Sequence, residues 1–252
     1  MMHRTMIALA GALLLTGCAA PGAMREAVPS DYAVALADPA RPQAERDRDV
    51  ARHPAELLAF AQVAPGEKVG DFVMGGGYFT RLLSASVGPA GHVYAFQPAE
   101  FIAFRAAYAD EQRIVDQAYA NVTGITGPFA TPPFPEPLDT IITVQNFHDL
   151  YLRPFPAGTG ARASAALFAA LKPGGTLLVV DHIAAAGSGT AAADTLHRID
   201  PQAVKDALTA AGFIFEAESD LLHNTTDPHS ANVFDPAIRG HTDQFVLRFR
   251  RP

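Results

Sequence analysis

A layered α/β fold around a mostly parallel sheet is what this sequence predicts, and three observations predict it. Apolar strand-like runs alternate with helical periodicities through most of the 252 residues, the mark of helices packed on a mostly parallel sheet. Three consecutive glycines, Gly75, Gly76 and Gly77, follow directly on the first such strand in "KVGDFVMGGGYFTRLL". The last strand-like run sets Phe245, Leu247 and Phe249 against Val246, Arg248 and Arg250, an alternation that predicts one wetter face and hence an antiparallel or edge strand.

The N-terminal residues stand outside this pattern. "MMHRTMIALAGALLLTGC" joins a short basic start to an apolar run and small residues, the layout of an export signal whose apolar part is short for a bilayer span. Leu15-Thr16-Gly17-Cys18 resembles the lipobox of bacterial lipoproteins. That resemblance implies a signal over 1–17, acylation of Cys18, a lipid-anchored, periplasm-facing place in the cell envelope and, because Ala19 rather than Asp follows, the outer membrane. Cys18 is the only cysteine, so no internal disulfide can form. Residues 18–44 are rich in Ala and Pro and read as a flexible tether; 45–252 read as one domain.

Within the domain, Pro54 opens a helix over 54–62. Strands are predicted at 68–73, 92–96, 138–144, 176–181, 213–219 and 244–249, with a weaker one at 121–125. Helices fill the gaps at 78–85, 101–109, 162–171 and 201–211, the last closed by Gly212. The polar stretch "LLHNTTDPHSANVFDPAIRGHTD" carries His223, His229 and His241 and reads as a long loop able to cover a site. A net charge of −7 with scattered basic residues argues against a nucleic-acid partner.

Glycine at the mouth of a first strand lets backbone take positive φ and approach a ligand closely. The same residues would also serve a tight turn that seats the helix on the strand, and their spacing does not fit a dinucleotide fingerprint. The fourth strand ends in "QNFHDLY", which places Asn146, His148 and Asp149 just beyond it, and the fifth ends in Asp181 and His182. Neighbouring parallel strands deliver these groups to one rim. A histidine held by a carboxylate suits proton transfer from a hydroxyl or amine, so His148, Asp149, Asp181 and His182 are the candidate catalytic residues. Each also has a structural reading: Asp181 as a turn cap, His197 as a cap of the next helix and Asp200 as the N-cap before Pro201. The histidines and carboxylates could gather a divalent ion, but their spacing matches no ligand motif, and no metal is expected.

The order "VGDFVMGGGYFTRLL", "GHVYAF", "LDTIITVQNFHDLY", "LFAALKPGGTLLVVDH", "VKDALTAAGFIFEAES" and "DQFVLRFR" resembles the class I S-adenosylmethionine-dependent methyltransferases over nearly all of 45–252. "GGGYFT", "NFHDLY", "DHIAAAGSG", "LHRIDP" and "FDPAIRGHTDQFVL" together resemble, more narrowly, a group of exported bacterial predicted methyltransferases. The resemblance implies a Rossmann-like three-layer sandwich with a mostly parallel seven-stranded sheet and an antiparallel last strand. It also implies S-adenosyl-L-methionine as cofactor and methyl transfer to a small acceptor. Asp71, Gly75 and Gly77 fall on the family's acid-and-glycine pattern and Gly76 is an extra glycine; with Tyr78, Gln97 and Asn146 these are the residues the resemblance implies for cofactor binding. Two positions depart from the pattern: Val73 replaces the first glycine, and Gln97 stands where an acid commonly meets ribose hydroxyls. Export sits uneasily with a cofactor made in the cytoplasm, so the competing reading is a non-catalytic envelope protein that binds a small ligand in the same cleft.

Overall fold

The computed structural model describes residues 32–252. The export signal, Cys18 and the first part of the tether lie outside these residues. One sheet runs in the order β3-β2-β1-β4-β5-β7-β6, from β1 (Lys68–Phe72), β2 (His92–Pro98), β3 (Val122–Gly127), β4 (Leu138–Val144), β5 (Leu171–His182), β6 (Ile214–Ser219) and β7 (Gln244–Arg250). The pairs among β1 to β5 are parallel, and β7 lies antiparallel between β5 and β6. The mostly parallel seven-stranded sheet with its antiparallel last strand is therefore present. Strand order reverses between β1 and β4, which opens a crevice at their carboxyl ends.

The core divides by side-chain parity, as alternation along a strand requires. Ile142, Leu178, Val180 and Val246 face one layer with Leu57, Leu58, Leu82 and Leu83, from α4 (Pro54–Phe60) and α5 (Tyr78–Val87). Their neighbours Ile141, Leu177, Val179 and Leu247 face the other with Leu167, Val204 and Leu208, from α8 (Thr159–Ala170) and α10 (Pro201–Ala210). Phe72 stacks on Phe96 and Phe129, each at 5.5 Å between ring centroids, and anchors the second layer behind the crevice.

Several boundaries differ from the sequence expectation, each for a local reason. β1 stops at Phe72 because Val73 takes a left-handed conformation, φ 69°. The helix expected over 101–109 is interrupted at Arg105, whose backbone is extended, and becomes α6 (Ala99–Phe104) and α7 (Ala107–Ala118). The helix expected over 162–171 begins earlier and hands Leu171 to β5, which absorbs Lys-Pro-Gly-Gly in an irregular register against β4. β7 is antiparallel but interior, and the edge is β6. The basic residues of β7 are accommodated there because Glu216 of β6 pairs with Arg248 and Arg250.

The tether expected over 18–44 is folded in its described part. α1 (Tyr32–Ala37) buries Ala35 in the core, and the Tyr32 hydroxyl donates to the carbonyls of Val63 at 2.7 Å and Leu58 at 3.2 Å. Tyr32, Ala35 and Leu36 share one helical face, a pattern too short to stand out from an Ala/Pro-rich background. After α2 (Gln43–Arg46) comes α3 (Asp49–Arg52), and the fully buried Arg41 donates to both oxygens of Asp49, at 2.6 and 2.8 Å. A chain that starts at Glu45 loses α1 and leaves the Asp49 carboxylate without its guanidinium. It should melt at least about 4 to 8 °C below one that starts at Tyr32, a loss on the order of 2 kcal/mol. Equal melting temperatures by circular dichroism would return these residues to the status of a tether.

Candidate active site

At the carboxyl end of β1 the chain turns through Val73, Met74 and the three glycines into α5. Gly75 and Gly77 have φ of 54° and 87°, the left-handed region that glycine enters at no steric cost. Val73 enters the same region against its side chain, at an expense of about 1 to 3 kcal/mol. A Cβ added at Gly77 would strike Val115 Cγ2 at 2.7 Å, so that glycine is needed for helix packing. At Gly75 a Cβ would meet nothing within 4 Å, and at Gly76 only Glu111 Oε2 at 3.9 Å, so open space borders the turn.

Three side chains brace this turn. Asp71, buried at the end of β1, accepts a 2.6 Å hydrogen bond from Thr80 Oγ1 on α5. Burial pushes its carboxyl up to about 6, against the pull of that bond and of Arg52. Asn146 donates to the carbonyls of Val144 at 2.7 Å and Val73 at 3.3 Å, tying the end of β4 to the turn. Gln97, fully buried near the end of β2, accepts from Gly75 N–H through Oε1 at 3.0 Å. That bond fixes which end of the amide is oxygen, and Gln97 Nε2 is left buried with no partner among the described residues. Tyr78, expected to face a ligand, has instead given its hydroxyl to Asp49 at 2.6 Å.

The Tyr78 ring carries a residue that the sequence did not single out. Arg52, at the end of α3, lies over Tyr78 at 4.4 Å and Phe79 at 5.1 Å. Its one hydrogen bond among the described residues is a long 3.5 Å contact to Gln145 Oε1, and it forms no ion pair among them. Burial and the neighbouring Arg48 pull its guanidinium down to about 10. Only its charge could have drawn notice in the sequence, because the contact joins elements far apart in the chain.

The second half of the site forms where β4 and β5 end. Gln145 takes φ 63°, the chain enters a 3-10 turn at His148–Tyr151, and His148 is swung over β5. Asp181, fully buried, accepts three hydrogen bonds, each of 2.8 Å, from His148 N–H, His148 Nδ1 and His182 N–H. His148 Nε2 faces Asp149 Oδ1 at 3.1 Å. Burial favours the neutral ring, but the Asp181 and Asp149 carboxylates outweigh it and push His148 up to about 10. The two carboxylates thus favour the protonated ring of His148, rather than the free base its position suggested.

His182 has the opposite character. Burial pulls it down to about 4, Nδ1 is 2.7 Å from Thr242 Oγ1, and Nε2 has no hydrogen-bond partner among the described residues. Its ring lies 6.1 Å from that of His148. His197, which caps α9 (Ala193–Leu196) in a left-handed conformation, joins from the far side, its ring edge-on to His148 at 5.4 Å. Asp200 is the N-cap of α10, accepting from Gln202 N–H at 2.9 Å, and stands outside the cluster. The loop over 220–243 is anchored beside the site: Asp243 accepts from His223 and His229, and the buried Arg198 pairs with Asp227. A separate groove of about 660 Å³, lined by Val34, Ser84, Gly88 and Asn121 among others, lies at the opposite end of α5 from the glycine turn.

No protein-family model matches the chain, and no curated protein matches it. Solved structures do. A SAM dependent methyltransferase from Aquifex aeolicus superposes with a TM-score of 0.60 at 18% identity, over 83% of this chain and 96% of the other. The fold is that of the class I methyltransferases. The N-methyltransferase NodS from Bradyrhizobium japonicum gives 0.54 at 13% identity, over 82% and 96% of the two chains. The [4+2]-cyclase SpnF gives 0.55 at 18% identity, over 80% of each, so the fold by itself does not decide the reaction.

Asp71 offers a direct test of how the turn is built. The folded state holds its proton more tightly than the ordinary value of 3.8. Folding therefore takes up a proton between about pH 4 and 6, and stability falls as pH rises through that window and stays lower above it. Asp71→Asn, which keeps an acceptor for Thr80, should flatten the slope and raise stability at pH 8 by about 2 kcal/mol. Urea denaturation at a series of pH values measures both; an unchanged slope would mean that Asp71 is not the group that titrates.

Proposed function

We propose that this protein binds S-adenosyl-L-methionine at the glycine turn and transfers its methyl group to a small acceptor held at the rim of β4 and β5. The observation that carries the reading is the Gln97 amide. A buried donor without a partner costs about 1 to 3 kcal/mol, and this one lies beside a turn bordered by open space. Nε2 is covered in this structure; once a shift of the adjoining turn uncovers it, a ribose hydroxyl can accept from it, and the amide does by donating what an acid does by accepting. Arg52, without a carboxylate among the described residues, suits the carboxylate of the methionine moiety. Both groups fit the cofactor on chemistry that this chain presents.

Bound there, the cofactor supplies an electrophilic methyl group. The chain's own residues do the rest. His182 Nε2, without a hydrogen-bond partner among the described residues, is a weak base because of its burial; it suits the uptake of a proton that methyl transfer has made acidic on the acceptor, and Thr242 orients its ring through Nδ1. The imidazolium of His148 and the Asp149 carboxylate set the charge at the rim and orient a polar acceptor. The similar methyltransferase folds support this reading, as do the residues shared with the family pattern.

The cellular setting is part of the proposal: an envelope lipoprotein anchored through Cys18 in the outer membrane, with its domain facing the periplasm. The support is the order of basic start, apolar run and Leu-Thr-Gly-Cys. Incorporation of a labelled fatty-acid precursor should be abolished by Cys18→Ala, and a variant that is labelled like wild type would remove the anchor.

Calorimetry on the purified protein with S-adenosylmethionine or S-adenosylhomocysteine tests the cofactor. We expect dissociation constants between the micromolar range and about a millimolar, some 8 to 4 kcal/mol, because Val73 holds the turn under strain. Gly76→Val has room for its Cβ and should keep the fold while it obstructs the crevice. Arg52→Ala should weaken binding about tenfold, as loss of a charged hydrogen bond does. Absence of heat at millimolar cofactor would leave the non-catalytic binding protein as the reading that stands.

A further inference from the structure

We propose that His148, Asp149 and His197 form a binding site for a first-row divalent ion, with zinc the best fit. The sequence spacing hides this set, because Asp149 and His197 are far apart in the chain and meet only when α9 packs on the 3-10 turn. Their ligand atoms all lie within 4.8 Å of one another. His148 Nε2 and Asp149 Oδ1 are 3.1 Å apart, and His197 Nδ1 and Asp149 Oδ1 are 3.9 Å apart. In a tetrahedral zinc site with bonds of about 2.0 Å, ligand atoms sit about 3.3 Å from each other. The first edge already has that size. The other two edges, 3.9 Å and at most 4.8 Å, must close by about 0.6 Å and up to about 1.5 Å, a movement that falls to His197, the most exposed of the three side chains.

The surroundings are those of a ligand set rather than of three polar residues that happen to be close. Asp181 accepts from His148 Nδ1 at 2.8 Å, which turns Nε2 toward the would-be ion. This is the carboxylate-histidine-metal arrangement that fixes ring orientation and raises ligand basicity. Asp181 is fully buried and accepts two further backbone hydrogen bonds, so its own geometry is fixed. Two nitrogens and one oxygen select zinc, cobalt or ferrous iron over magnesium and calcium, which favour oxygen alone. Side-chain exposure of 13% for Asp149 and 26% for His197 gives an entry path on one side, and Phe234 packs edge-on against His197 at 4.9 Å. With three protein ligands the ion keeps an open position, and the chemistry it would take there is a hydroxyl, thiol or carboxylate of a small molecule.

The site does not depend on methyl transfer, and failure of cofactor binding leaves it intact; with an ion bound, His148 is a neutral ligand and the ion takes over the setting of charge at the rim. The test uses the full chain, stripped of metal with a chelator and titrated with cobalt as a visible probe. We expect one cobalt per chain, a visible d–d absorption band and its loss on addition of zinc. His197→Ala, at a partly exposed position, should fold normally by circular dichroism and lose at least about tenfold in affinity. Asp181→Asn, if folded, should lose about 10- to 100-fold as the orienting carboxylate goes. His241→Ala, at an exposed position of the loop, should bind as wild type does. No uptake at about 100 μM ion, or undiminished uptake in His197→Ala, would overturn the proposal. So would loss of uptake in His229→Ala with His197→Ala unaffected, since that result places the ion at Asp243 instead.

Discussion

The Asp181 carboxylate is the constraint on which the rest of the site hangs. It has no contact with solvent and is held in place by three donors, of which two belong to His148. A buried charge is tolerable only when it is surrounded by donors, and here those donors come from the loop of the neighbouring strand. Satisfying Asp181 therefore draws the 3-10 turn after β4 across the end of β5. That placement fixes Asn146, whose amide reaches the Val73 carbonyl, and so connects the histidine cluster to the glycine turn. The two halves of the crevice are parts of one polar network.

The same network explains where strain is stored. Val73 and Gln145 are left-handed non-glycine residues just past the carboxyl ends of the paired strands β1 and β4. Gln145 is secured by its N–H bond to the Val180 carbonyl at 2.7 Å and by its amide bond to Gln244 at 2.9 Å. Val73 is secured by burial among apolar neighbours and by Asn146. Conformations of this kind persist only where the surroundings over-determine them, and they gather where a ligand must be met by backbone. Arg52 adds the charge that completes the crevice, held over the Tyr78 and Phe79 rings instead of by a carboxylate.

The fold was legible in the sequence because its signals are periodic and local. Strand alternation, Pro54 and Pro201 at helix starts and the glycine run located six strands, five of them to within two residues at either end and β5 starting five residues earlier, and even the weaker strand formed, as β3. The rim residues could be grouped because parallel strands present their carboxyl ends together. Their chemical states could not be read. Whether His148 or His182 keeps its proton depends on Asp181 and on burial, which are consequences of tertiary packing. Arg52, Thr80 and Thr242 were illegible for a related reason: each matters through a partner distant in sequence, and none sits in a recognisable motif. Tyr32 and Ala35 were misread as tether because a helix of one and a half turns carries too little periodicity to show.

The place of β7 has a consequence for how the sheet is completed. β7 lies between β5 and β6, yet it follows both in the chain. During synthesis β6 has no strand beside it until β7 emerges, and Glu216 waits without its arginines. The pairing that closes the sheet is thus the last to become possible, and the long separations it spans make it slow relative to local helix formation. Until then β5 presents an unpaired edge, the feature by which an incomplete sheet is prone to pair with another chain.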